Sequence, residues 1–175
     1  LETINKYNKF ISDDNDAFII GTYLPKSYEA YLNFQINKKP ILWSSKKFIK
    51  PKKVDLQLRQ KLAEKSFKRN KSFNIIKSLI FDLMPTCYLE GITDLKKESL
   101  NYGYPSSPRF ILTGSANICF DEPFKFWAAE QVENNNVPLY TLQHGSYFGW
   151  VKEEYLQREE VISDKFITWG WQDRK

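Results

Sequence analysis

The chain has 175 residues, 42% of them hydrophobic and 16% aromatic, and carries a formal net charge of +5 with a single histidine. That length fits one domain, the apolar content excludes a disordered chain, and no apolar run is long enough to span a bilayer. Cys87 and Cys119 lie far apart in apolar contexts, which excludes a disulfide framework and zinc-ligand spacing and reads as two reduced core residues of a cytosolic protein.

Asp13, Asp14 and Asp16 form a short acidic cluster without the rest of a calcium-loop pattern. The apolar run 17–21, closed by Gly21, predicts a buried strand. Tyr28, Tyr31, Leu32 and Phe34 predict a short helix opening after Pro25, and Pro40-Ile41-Leu42-Trp43 predicts a second short strand. Lys38, Lys39, Lys46, Lys47, Lys50, Lys52 and Lys53 crowd a predicted loop, and Lys61, Lys65, Lys68, Arg69 and Lys71 follow. Such a stretch reads as a solvated surface, or as attraction to an anionic membrane or anionic acceptor. No nucleic-acid-binding motif surrounds it, so nucleic acid is not an expected partner. Residues 54–95 read as mostly helical, with Leu56, Leu58, Leu62 and Phe67, then Phe73, Ile76, Leu79, Ile80 and Leu83 near helical spacing. Pro85 interrupts that pattern.

Residues 102–108 form a Pro/Ser-rich connection. Residues 109–114 are the clearest strand, and Ser115-Ala116-Asn117 reads as a polar loop after it. Asp121 is suited to cap a helix with Pro123 in its first turn. Phe124, Trp127, Ala128 and Val132 give that helix an apolar face, and Asn134-Asn135-Asn136 ends it. A strand at 138–141 runs into Gln143-His144-Gly145, and residues 166–170 are a last strand. Strand–helix–strand spacing implies parallel pairing with a right-handed crossover. The whole reads as α/β, a Rossmann-like three-layer domain with a mainly parallel sheet.

In such sheets ligands collect outside the carboxyl ends of the strands. One strand end supplies Gly114, Ser115 and Asn117, and another supplies Gln143, His144, Gly145 and Ser146. His144 is the candidate catalytic residue, because imidazole exchanges a proton near neutrality. Gln143 adds a donor and an acceptor, and Gly145 permits a sharp turn. The helix starting near Glu122 points its N-terminus at the crevice, favouring a negative group there. Ser115 and Asn117 also fit ordinary loop chemistry, and Glu122 fits a first-turn charge complementing the helix dipole. There is no P-loop, G-x-G-x-x-G or G-x-S-x-G motif. Trp150, Trp169 and Trp171 suit a sugar-binding cleft or, alternatively, core or interdomain packing.

Five segments carry a family resemblance. They are Ala17 to Leu24, Pro40 to Trp43, Asp121 to Glu130, Gln143-His144-Gly145 and Ser163 to Trp171. Together they resemble a family of bacterial transferases associated with surface-polysaccharide and lipopolysaccharide biosynthesis. That family resembles two-Rossmann-domain (GT-B) glycosyltransferases and is distantly similar to Kdo transferases and CDP-glycerol glycerophosphotransferases. Relatives carry a more glycine-rich stretch where this chain has Ser146-Tyr147-Phe148. The resemblance implies an excised N-terminal, acceptor-side domain over 1–165, with 166–175 starting a C-terminal donor-binding domain. It implies sugar transfer from a nucleotide-activated donor to a surface glycan or lipid-linked acceptor, with His144 at the interdomain cleft. Gln143, Gly145, Ser146, Gly114, Ser115, Asn117 and Glu122 would bind substrate. No cofactor is expected, the donor being a substrate, and metal assistance is left open. The expected location is cytoplasmic, with peripheral contact at the inner membrane face through the Lys-rich stretch. The alternatives are a nucleotide-sugar epimerase or hydrolase on the same scaffold, and a non-catalytic glycan or nucleotide-sugar binding module.

Overall fold

Four short strands form one all-parallel sheet whose order follows the chain, β1 (Phe18–Ile20), β2 (Ile111–Gly114), β3 (Leu139–Leu142) and β4 (Lys165–Ile167). This computed structural model describes residues 2–45, 50–66, 79–145 and 158–171. The helices include α1 (Glu2–Ile11), α2 (Lys26–Asn37), α3 (Leu56–Ser66), α4 (Ile92–Asn101), α5 (Ser115–Phe120), α6 (Glu122–Asn135) and α7 (Arg158–Ile162), with residues 79–83 also helical and a 3₁₀ turn at Thr86–Tyr88 after Pro85. The chain divides into two compact units, residues 1–48 with 98–175, and residues 49–97. The sheet belongs to the first.

The register sets Ile19 beside Leu112, Leu112 beside Tyr140 and Thr141 beside Phe166. β1 and β2 are wholly buried, as parallel strands covered on both faces must be. Side-chain alternation splits the core into two layers. On one face Phe18, Ile20, Ile111 and Leu139 meet Phe124, Trp127 and Ala128 of α6. Phe18 lies 4.6 Å from Trp127, 4.7 Å from Tyr104 and 5.1 Å from Trp43, ring centroid to centroid. On the other face Ala17, Ile19 and Leu112 meet Leu32 and Ile36 of α2. Helices on both faces of a parallel sheet make the Rossmann-like three-layer arrangement that the sequence predicts. The β2–α6–β3 unit follows as expected. Asp121 accepts the Phe124 N–H at 2.9 Å, and Asn136 ends α6 in the left-handed conformation.

Two predicted elements differ. Residues 40–43 form no strand. Asn5 and Asn8 of α1 donate instead to the carbonyls of Ser44 and Leu42, both at 2.7 Å, and bury Ile41 and Trp43 without a ladder. Ser115-Ala116-Asn117 is the first turn of α5 rather than a loop.

In the second unit the Arg59 guanidinium is buried against Glu90, with Nε at 2.6 Å and Nη2 at 2.9 Å, and also donates to the carbonyls of Phe81, Asp82 and Met84. The Arg59 hydrogen bonds, then the Asp55 N–H, lower the Glu90 carboxyl from 4.5 to about 2. A depressed carboxylate contributes stability that is complete above its unfolded value and lost as pH falls through the folded one. Acid titration of unfolding should therefore show stability draining from near pH 4.5 down to about pH 2. Glu90→Gln should flatten that limb; an identical acid limb in the variant would refute the assignment.

Candidate functional site

The carboxyl ends of β1, β2 and β3 are held together by a small number of polar contacts. After β1, Gly21 takes φ 59° and Tyr23 takes φ 65°. Between them Thr22 donates from both N and Oγ1 to Glu29 Oε2, each at 2.8 Å. Glu29 is fully buried, and Lys26 Nζ lies 2.7 Å from its other oxygen. The α2 side chain thus clamps the turn that presents Tyr23. At the end of β2 the Gly114 N–H donates to the Gly21 carbonyl at 3.1 Å. A Cβ on Gly114 would lie 2.5 Å from Tyr23 Cε2, so the tyrosine ring occupies the space a side chain would need. Buried Asn117 donates from Nδ2 to Thr113 Oγ1 at 2.9 Å and to the Ile20 carbonyl at 3.3 Å, tying β1 to β2.

At the end of β3, Gln143 is buried while His144 is exposed. Gln143 Oε1 accepts the Trp171 indole N–H at 2.8 Å and the Trp169 N–H at 3.1 Å. Its Nε2 donates to the Gly145 carbonyl at 2.8 Å. Gly145 takes φ 70°, and no described residue lies within 4 Å of where a Cβ would sit, so glycine is needed there for backbone conformation. The His144 ring lies 5.1 Å from the Tyr23 ring, tilted by 48°.

The predicted residues therefore separate. Gly114 and His144 flank the same tyrosine, and Asn117 braces the strand ends behind them. Gln143 turns away to lock the Gln-His-Gly turn onto the Thr-Trp-Gly-Trp segment. Glu122 sits in the first turn of α6, 2.5 Å from Lys125 Nζ. The predicted anion position at that helix N-terminus is filled by the Asp121 side chain, and α5 stands between β2 and α6. Ser115 opens α5, and Ser146 lies outside the described residues. Sequence reasoning passed over Tyr23 and Glu29. A positive φ usually shows as Gly or Asn, and Tyr23 carries no such mark, but Glu29, Asn33 and Asn37 do recur at four-residue helical spacing.

A family model for LIC12162 family transferases matches residues 1–175. The chain belongs to the LIC12162 family transferases. No curated protein and no solved structure matches it.

In this LIC12162 family transferase Cys87 and Cys119 form no disulfide and are not core residues, since Cys87 is half-buried and Cys119 exposed. Partial desolvation of the Cys119 sulfur, then the Glu159 carboxylate to which it donates, push the thiol up to about 11. A thiol so rarely ionised is a poor nucleophile. Of the basic stretch, Lys39 is held by Asp13 and Asp16 and Lys52 by Asp94, while Lys46 and Lys47 lie outside the described residues. Among the described residues no His/Cys/Asp/Glu group could hold a metal, and no helix is long and apolar enough to cross a membrane. Trp169 is exposed, Trp171 is half-buried, and Trp150 is outside the described residues. An apolar cavity of about 300 Å³ lies against α6, lined by Ile118, Ala128, Val132, Leu139 and Ile162.

Gln143→Leu tests the lock. It keeps the volume but strands the Trp171 indole N–H and the Gly145 carbonyl, and an unmade buried hydrogen bond costs about 1–3 kcal/mol. The expected loss in urea unfolding is about 2 kcal/mol, accompanied by a shift of the Trp171 indole N–H resonance. An unmoved indole resonance would refute the lock.

Proposed function

We propose that this transferase moves a sugar from a nucleotide-activated donor to a bacterial surface glycan or lipid-linked acceptor, the chain being the acceptor-side half of a GT-B-type enzyme. The reading rests on one observation above all. The only histidine stands exposed at the carboxyl end of a parallel strand, where α/β sheets gather their ligands, in a chain whose family is a transferase family. The sequence resemblance to GT-B enzymes, distantly including Kdo transferases and CDP-glycerol glycerophosphotransferases, supplies the sugar-donor part.

In this reading His144 takes the proton from the acceptor hydroxyl as it attacks the anomeric carbon, and the nucleotide phosphate leaves with the electron pair of the broken C–O bond. Gln143 and Gly145 set the turn that carries His144. Gly114 and Asn117 hold the facing strand end, and Ser115, Glu122 and Ser146 stay substrate-binding candidates on the sequence resemblance alone. The donor is a substrate, and most donor contacts fall to a second domain. The enzyme works in the cytoplasm, with the Lys-rich stretch drawing it to the anionic inner face of the membrane.

The test is donor turnover by the full-length parent protein across CMP-, UDP- and GDP-linked sugars, with and without glycan and lipid-linked acceptors. Acceptor-dependent release of nucleotide with a glycosylated product is expected. Conversion of the donor with no acceptor would replace transfer by epimerisation or hydrolysis, and binding of a donor without turnover would make the protein a binding module.

A further inference from the structure

We propose that Tyr23 is the positioning residue for His144. The inference rests on the transferase reading for its catalytic consequence, but its structural content stands by itself. Tyr23 holds φ 65°, a conformation that costs a bulky side chain about 1–2 kcal/mol relative to the right-handed regions. Such strain persists only where the surroundings enforce it. Here three contacts do so: Glu29 clamps the preceding Thr22 at both N and Oγ1, the missing side chain of Gly114 makes room for the ring, and the ring meets His144 at 5.1 Å.

His144 otherwise sits on a short turn. Its neighbour Gln143 points into the Trp169–Trp171 segment, and Gly145 is free of side-chain contacts at the Cβ position. Among the described residues the Tyr23 ring is the aromatic contact of His144, and it limits where the imidazole points. A catalytic base must stand within hydrogen-bond reach of the proton it takes, and a misplacement of about 1 Å can cost about 10²-fold in rate. The strained turn after β1 converts a buried carboxylate on α2 into a fixed position for a base in the turn after β3.

The chain's single histidine makes the test direct, because the imidazole C–H resonances of the 175-residue chain belong to His144 alone. Three proteins are compared at one fixed pH: wild type, Tyr23→Phe and Tyr23→Gly. Glycine accepts φ 65° without strain, so the Gly variant removes the ring while keeping the turn, and its melting temperature checks the fold. The Phe variant should leave the His144 resonances in place, since it keeps the ring. The Gly variant should move them toward those of an unstacked imidazole. Unmoved resonances in a folded Tyr23→Gly protein overturn the proposal. In the transfer assay Tyr23→Gly should lower kcat about 10–100-fold with KM kept, and Tyr23→Phe should restore it. A raised KM with kcat intact would make Tyr23 a substrate contact and overturn the positioning role. If the parent shows no transfer at all, the functional reading fails while the resonance comparison still decides the placement of His144.

Discussion

Replacing Gly114 with alanine is expected to destabilise the sheet-bearing unit by about 3 kcal/mol, at the upper end of the cost of overpacking. The backbone of Gly114, at φ −78° and ψ 151°, is ordinary for any residue, so the requirement for glycine is one of space. A Cβ there would lie 2.4 Å from the Gly21 carbonyl oxygen, 2.5 Å from Tyr23 Cε2 and 2.7 Å from Tyr23 Cζ. The tyrosine could swing away, but the carbonyl cannot, because the Gly114 N–H donates to that same oxygen and the two backbones are held together by it. Gly145 supplies the contrast. Among the described residues nothing crowds it, its φ of 70° is the constraint, and Gly145→Ala should cost about 1–2 kcal/mol through backbone strain. Adding Tyr23→Gly to Gly114→Ala should recover part of the loss and leave the part owed to the carbonyl. Urea unfolding of the four proteins decides the matter, and a Gly114→Ala cost no larger than that of Gly145→Ala would refute the steric account.

The sheet was legible in the sequence because its strands obey the simplest rule, short apolar runs bounded by Gly or Pro, of which β1 and β2 are buried on both faces. The run at 109–114, the capped helix from Asp121 and the strand before Gln143 all follow from that rule and from local capping chemistry. The two helices at the N-terminal side defeat it. α1 buries Asn5 and Asn8 and exposes Tyr7 and Phe10, the latter by 91%. α2 buries Glu29, Asn33 and Asn37 and exposes Tyr28, Tyr31 and Phe34. In both, amide and carboxylate side chains substitute for a ladder or clamp a turn, as when Asn37 pairs with both N and O of Ala17 at 2.9 and 2.8 Å. Apolar periodicity finds α2 from its wrong face and does not find α1. The same inversion hides Glu29 and, through it, Tyr23. Residue type marked the strand-end position of His144, whereas its neighbours were set by long-range polar contacts that no local pattern encodes.

His144→Ala is expected to lower turnover about 10²–10⁴-fold, the usual worth of general-base help, while shifting unfolding by less than about 0.5 kcal/mol, as exposed substitutions do. The exposure of His144, beside a Gln143 that carries the hydrogen bonds of the turn, is what separates the two effects. The turn is held without the imidazole, so a loss of activity reports chemistry rather than collapse. Two controls sharpen the comparison. His144→Gln keeps a polar side chain of similar reach but supplies no base, and should be as slow as the alanine variant. The limb of the kcat/KM pH profile that reports deprotonation of the base should flatten in both variants, whereas Tyr23→Gly should keep that limb at reduced height. Turnover that survives His144→Ala would place the base elsewhere and leave His144 as the exposed tip of a turn built by Gln143.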